Sequence, residues 1–228
     1  MTDSVTPSAG SASALLLGAT GLVGGHVLDL LLDDPAYGRV VVLGRRPVDR
    51  SHPKLVQQLA DLGRLDEHAA LFAVDDVFCC LGTTIRAAGS REAFRRVDHD
   101  YVVDSARLAA AAGARRYLLV TAAGADSGSR FFYNRVKGDA ESGVRAQPFE
   151  GVVILRPSLI LGPRPERRPA EALAQRIAPA LGVLMAGPLR RYRAVQAEAV
   201  ARAMVRLAKE RPRGARIVEN DEIQEIGG

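Results

Sequence analysis

Residues 14–32, ALLLGATGLVGGHVLDLLL, change hydrophobic period across a single glycine turn. The apolar run 14–17 ends in Gly18, and Val23, Val27, Leu28, Leu30 and Leu31 then recur at helical spacing. A buried strand, a tight turn and a helix in immediate succession are expected. Gly18, Gly21 and Gly24 stand three apart. A dinucleotide pyrophosphate can approach a backbone only where no Cβ intervenes, and the first amides of a helix face an anion with the positive end of the helix dipole. Gly18, Thr20, Gly21, Leu22, Val23 and Gly24 are therefore the candidate phosphate cradle.

The same apolar signature returns along the chain. Runs at 39–43, 55–60, 77–81, 117–121 and 151–155 read as strands, with helical stretches at 65–73, 90–112, from 131, and 197–208 between or after them. A short last strand is expected at 215–218, then an acidic tail at 219–228. This alternation predicts an α/β fold. It is a Rossmann-type, doubly wound parallel sheet of six to seven strands with helices on both faces, whose ligands sit beyond the carboxyl ends of the strands. At 228 residues the chain suits one domain from 14 to 228, preceded by a frayed tail at 1–13.

The second strand runs into Gly44, Arg45, Arg46 and Pro47, with no acid before Asp49. An acid here favours the free ribose of NAD, whereas arginines favour the 2′-phosphate of NADP. Arg45 and Arg46 thus predict NADP(H) over NAD(H). Asp61 and Leu62 end the third strand, and Leu81, Gly82 and Thr83 end the fourth, where small residues let a cofactor lie close.

Tyr133 and Lys137 are four apart on the helix from 131, so they share a face. A lysine ammonium beside a phenol makes it a readier acid or base and can hydrogen-bond a nicotinamide ribose. Such a tyrosine passes a proton to or from a carbonyl oxygen while hydride moves at carbon. Thr121, at a strand end, is expected to polarise that carbonyl.

Together these residues resemble the atypical short-chain dehydrogenase/reductases over nearly the whole of 14–220. The run CCLGTTIRAAGSREAFRRVDHDYV, with GAD at 124–126 and FFYNRVKGDAE, is similar to the Tat-interacting-protein oxidoreductase group and its bacterial relatives. The resemblance implies Tyr133 and Lys137 as the active pair, Asp61 as an adenine contact, and Pro157 and Ser158 in the loop that closes over nicotinamide. Thr121 stands where the family carries serine, with Ala122 beside it, and Asp98 where extended members carry asparagine. The implied activity is an oxidoreductase acting on a small carbonyl or alcohol. A redox-sensing protein without turnover is the alternative, and a nucleotide-sugar epimerase or dehydratase the third reading, although the large C-terminal substrate domain of those enzymes is missing.

Segment 157–195 is expected to form a substrate lid, with a helix near 170–177 and Arg164, Arg167, Arg168, Arg190, Arg191 and Arg193 making it basic. The net charge of +5 is otherwise scattered without interleaved aromatics, which argues against a nucleic-acid partner. Adjacent Cys79 and Cys80 point to opposite faces of a strand and suit a reducing cytoplasm. His26, His52, His68 and His99 lack metal-ligand spacing, so no metal is expected. No run is long enough to span a membrane, and the partners expected are a small-molecule substrate and at most a second copy of the chain.

Overall fold

The computed structural model describes residues 11–162 and 193–228. The expected tail up to residue 10, the helix near 170–177 and Arg164, Arg167, Arg168, Arg190 and Arg191 lie outside them. The elements run β1 (Ala12–Leu17), α1 (Leu22–Asp33), β2 (Tyr37–Gly44), β3 (Leu55–Leu59), a 3₁₀ stretch (Leu62–Phe72) and β4 (Asp76–Cys79). Next come α2 (Ile85–Ala88), α3 (Arg91–Arg95), a π turn (Arg96–Asp100), α4 (Tyr101–Ala111), β5 (Arg116–Val120) and α5 (Phe132–Arg145). The chain closes with β6 (Gly151–Arg156), β7 (Ile160–Leu161), β8 (Val195–Gln196), α6 (Ala197–Lys209), β9 (Gly214–Glu219) and α7 (Asn220–Gly227).

Seven strands form one sheet in the order β3-β2-β1-β4-β5-β6-β9, and every neighbouring pair is parallel. This is the doubly wound architecture expected. Strand alternation divides the core in two. Leu16, Phe78, Leu118 and Val153 pack on one face with Val27 and Leu31 of α1 and Met204 of α6. Leu15, Leu17, Val77, Leu119 and Ile154 pack on the other with Phe72, Val102 of α4 and Val144 of α5. Cys79 and Cys80 separate onto these two faces as the spacing predicts, both as free thiols.

Three expectations are corrected. Residues 12 and 13 are not tail but the start of β1, where the Ser13 amide and hydroxyl both donate to Asp75 Oδ2 at 2.8 Å. The single helix 90–112 is three pieces, because a π turn interrupts it at 96–100. The acidic tail is largely a helix, α7, which buries Ile223 and sets Gly227 against the Ala199 carbonyl of α6. Ser90 does cap as expected, accepting from Ala93 N at 3.1 Å, and Gly113, at φ +86°, ends α4.

Candidate active site

The switch between β1 and β4 opens a cleft of about 150 Å³ lined by Gly18, Thr20, Gly21, Arg45, Arg46, Leu62, Leu81 and Gly82, among others. Its glycines divide by reason. Gly18 lies at φ +84°, and a Cβ there would stand 2.5 Å from the Cys80 carbonyl oxygen. A Cβ on Gly24 would stand 2.1 Å from the Gly18 carbonyl oxygen. Both are required by the protein's own backbone: Gly18 lets the turn lie against the chain after β4, and Gly24 lets α1 start directly against the end of β1. The requirement for glycine at these two positions therefore comes from neighbouring backbone, not from an approaching pyrophosphate as expected. Helix α1 begins at Gly21 with no side-chain cap and no acid in its first turn, so its first amides remain for an anion. Val23 turns its side chain into the core and offers only backbone, while Leu22 packs near Gly162 beyond β7.

At the end of β2, Arg45 and Arg46 are exposed, and among the described residues neither is ion-paired. Arg46 donates to Thr20 Oγ1 at 3.3 Å, which ties the second strand end to the glycine turn. Asp61 lies with Arg45 around a shallow depression, and its carboxylate accepts from Gly63 N at 2.9 Å, capping the 3₁₀ stretch. The glycine turn and the arginine pair thus line the cleft, and Asp61 lies in the depression beside it that Arg45 shares.

The cleft ends toward α5 at Gly82. A Cβ there would lie 3.7 Å from Lys137 Nζ and 3.5 Å from Asp98 Oδ1. Lys137 Nζ contacts Asp98 Oδ1 at 2.8 Å, with the lysine side chain 6% exposed and the aspartate fully buried. Asp98 Oδ2 accepts from Thr83 N at 2.9 Å, so this one carboxylate binds the loop after β4 to α5. Burial alone would push the Lys137 ammonium down; the Asp98 carboxylate, with Tyr133 adding, carries it above its ordinary value. Burial raises Asp98 against the pull of Lys137 and Thr83 N. The π turn puts Asp98 there, as such turns do at functional positions. From sequence, Asp98 stands out only as the residue where extended members carry asparagine, with no role assigned to it. Its signal was an acid four residues after Phe94 and four before Val102, in the middle of an apolar face.

Tyr133 is half-exposed and stacks on Phe94 at 5.4 Å between ring centroids. Tyr133 and Lys137 share one helix face, as the spacing predicts. Thr121 does not fill its expected role. It is buried, and its hydroxyl donates to Glu141 Oε1 at 2.7 Å, with Leu155 O at 3.3 Å. A hydroxyl has one proton, so Thr121 has none left for a substrate carbonyl. Glu141, one turn beyond Lys137, is held in turn by Arg156 Nη2 at 2.6 Å and Nε at 3.0 Å, and Arg156 reaches Glu219 at 3.1 Å. Pro157 O accepts from Ala123 N at 2.9 Å. Ser158 is likewise directed inward: its amide donates to Asn220 Oδ1 at 2.9 Å and its hydroxyl to Arg193 O. These two residues fasten the loop after β6 and leave no Ser158 hydroxyl proton for a cofactor. Among the described residues no cluster of His, Cys, Asp or Glu could hold a metal, and no helix is long and apolar enough to cross a membrane.

Residues 18–211 match the family described as NAD(P)H-binding. The chain is 40% identical over 168 residues to HTATIP2 of Rattus norvegicus, covering 72% of this chain and 69% of that one. It is 41% identical over 178 residues to mitochondrial protein fmp52 of Emericella nidulans, covering 75% and 76%. Among solved structures, MoeE5 in complex with UDP-glucose and NAD superposes with a TM-score of 0.69 at 20% identity, covering 95% of this chain and 81% of that one. The Bordetella bronchiseptica enzyme WbmH in complex with NAD+ gives 0.67 at 16%, covering 91% and 75%. These two likenesses bear on the fold alone.

Proposed function

The chain belongs to the NAD(P)H-binding family, alongside HTATIP2 and fmp52, and from that premise we propose that it is an NADP(H)-dependent oxidoreductase acting on a small carbonyl or its alcohol. The observation that carries this reading is the placement of Lys137 beside Gly82, where the cleft of glycines and arginines ends, with Tyr133 on the same helix face. The cradle fits a dinucleotide: α1 has no side-chain cap at its N-terminus, and no side chain of the described residues lies within 4 Å of where a Cβ on Gly21 would stand. A reduced nicotinamide, when bound, supplies the hydride to the carbonyl carbon. Tyr133 Oη gives its proton to the carbonyl oxygen and recovers it from solvent. Lys137, ion-paired with Asp98, has N–H groups to offer the ribose hydroxyls. Thr121 and Glu141 hold β5 against α5 and position that helix. The free thiols fit the cytoplasm, although the fmp52 relatives bear the word mitochondrial in their names.

Tyr133→Phe should lower kcat/KM by about 10²- to 10⁴-fold, the usual worth of a positioned general acid, with Kd for NADPH unchanged. Absorbance assays of NADPH consumption across aldehydes, ketones, quinones and enones measure this. If no substrate is consumed while NADPH still raises Tm, the protein is a cofactor sensor and the enzymatic reading fails.

The arginine pair supports NADPH preference. Charge-assisted hydrogen bonds are worth about 1.5–3 kcal/mol, so Arg45→Ala or Arg46→Ala should each weaken NADPH about 10- to 100-fold and leave NADH unaffected. Fluorescence titration of both nucleotides distinguishes this from a generic loss. Equal affinities, unmoved by either change, would reject the preference.

A further inference from the structure

Among the described residues, the large apolar side chains that stand exposed fall into two groups. Val56 and Leu59 lie on β3 and Ile217 on β9, the two edge strands of the sheet, where fewer neighbours cover a side chain. Ile85, Phe131, Tyr133 and Leu159 lie elsewhere. They follow the carboxyl ends of β4, β5 and β6, three adjacent strands, at the end of the sheet where the cleft opens. Their exposure runs from 36% for Tyr133 to 74% for Phe131. Apolar surface held in water at one place costs free energy that a covering apolar ligand recovers.

The support beneath Tyr133 is aromatic. Phe94 of α3 is buried and packs on Tyr133 at 5.4 Å and on Phe132 at 5.9 Å between ring centroids. Arg91 and Arg135 lie 5.2 and 6.0 Å from the Phe132 centroid, so these two cations are laid against a ring. The polar groups at the ends of β5 and β6 are turned to the protein. Thr121 gives its proton to Glu141, Ser158 gives its own to Arg193 O, and Glu141 also takes two donors of Arg156. A sugar hydroxyl buried against these residues would find no free partner among them, and an unpaired buried hydroxyl is costly.

We infer that the carbonyl compound taken by this site is apolar, an alkyl or aryl aldehyde or ketone, and that Ile85, Phe131 and Leu159 hold its tail beside Tyr133. The inference rests on the oxidoreductase reading above and names its substrate class. A nucleotide sugar is the substrate it excludes. In the reduction the C=O double bond becomes a single bond, the carbon gains the hydride, the oxygen gains the Tyr133 proton, and the nucleotide leaves oxidised.

The test is a homologous series. With NADPH, kcat/KM should rise about two- to fourfold for each methylene added from propanal to hexanal, as burial of an alkyl tail requires. Phe131→Ser and Leu159→Ser should each lower the hexanal-to-propanal ratio about threefold, and together about tenfold. Phe131 is the N-cap residue of α5 and makes no capping bond, and serine is a preferred residue there, so that variant should fold. The matching amides, propanamide to hexanamide, carry a carbonyl that is not reduced. Their stabilisation of the protein with NADPH, read as Tm, should grow with chain length, and UDP-glucose should give no rise. A series flat in wild type, a ratio unmoved in both variants, or a Tm rise with UDP-glucose would overturn the inference. If no carbonyl compound is consumed, the oxidoreductase reading fails, while the amide series still decides which class of molecule the site holds.

Discussion

Gly24→Ala should both destabilise the fold and abolish NADPH-dependent stabilisation. The added methyl would meet the Gly18 carbonyl oxygen at 2.1 Å, its carbon at 2.7 Å and Ala19 Cα at 3.1 Å, all of them backbone. No rotamer relieves such a contact. Gly18 has little room to retreat, because even a Cβ on it would stand 2.5 Å from the Cys80 carbonyl oxygen and its φ is +84°. The remaining response is for α1 to slide off β1, which opens the cradle its first amides form. Overpacking of this kind costs about 1–3 kcal/mol or more, and at the upper end Tm should fall by roughly 6–12 °C for a domain of this size. The neighbouring Gly25→Ala is the control. Its Cβ would sit 3.6 Å from Ala19 O, an ordinary contact, and alanine in a helix interior gains about 0.5–1 kcal/mol over glycine. Thermal melts with and without NADPH should separate the two: lower Tm and no NADPH shift for Gly24→Ala, Tm at or above wild type and a full shift for Gly25→Ala. A normal NADPH shift in Gly24→Ala would mean that the cradle does not depend on the contact of α1 with β1.

What could be read from the sequence was what local periodicity encodes. The strand at Leu15–Leu17 feeds both sheet faces with leucine, so its burial needs no tertiary knowledge, and Gly18 follows where period two stops. Tyr133 and Lys137 were legible for the same reason, since helical spacing alone puts them on one face. Partners were not legible. Thr121 reads as a strand-end hydroxyl, and only the packing of α5 on β5 reveals that Glu141, twenty residues on, takes its proton. Asp98 meets Lys137 because a π turn shifts the register after Arg95, which no average of apolar spacing predicts. Helix α7 was hidden by its composition. Asp221, Glu222 and Glu225 suggested solvated tail, while the ordering comes from Ile223 and the close seat of Gly227 on α6. Eight residues with two isoleucines carry too little periodic signal to outweigh three acids.

Arg116→Met should destabilise the protein by about 3–5 kcal/mol at neutral pH while leaving cofactor binding intact in the molecules that fold. Arg116 and Asp76 are register neighbours at the amino ends of β5 and β4, opposite the cleft. Their side chains are 7% and 2% exposed, Nε and Oδ1 are 2.5 Å apart, and the Tyr37 hydroxyl donates to Asp76 Oδ2 at 2.8 Å. Removing the guanidinium leaves a buried carboxylate with one neutral donor. Burial already holds the Asp76 carboxyl above its ordinary range, against the pull of Arg116 and Tyr37, and loss of Arg116 must raise it further. A carboxyl whose native pKa lies above the unfolded value binds its proton more tightly when folded. Its contribution is fully present below the unfolded value and lost as pH rises through the native one. The deficit of Arg116→Met relative to wild type should therefore be largest at neutral pH and shrink as the medium approaches about pH 4–5. Asp76→Asn combined with Arg116→Met removes the stranded charge and should recover much of the loss at neutral pH, with little further change on acidification. Urea unfolding midpoints at the two pH values measure both effects. A deficit of the same size at both would show that the methionine fails through packing rather than through an uncompensated charge, because only the charge can be titrated away.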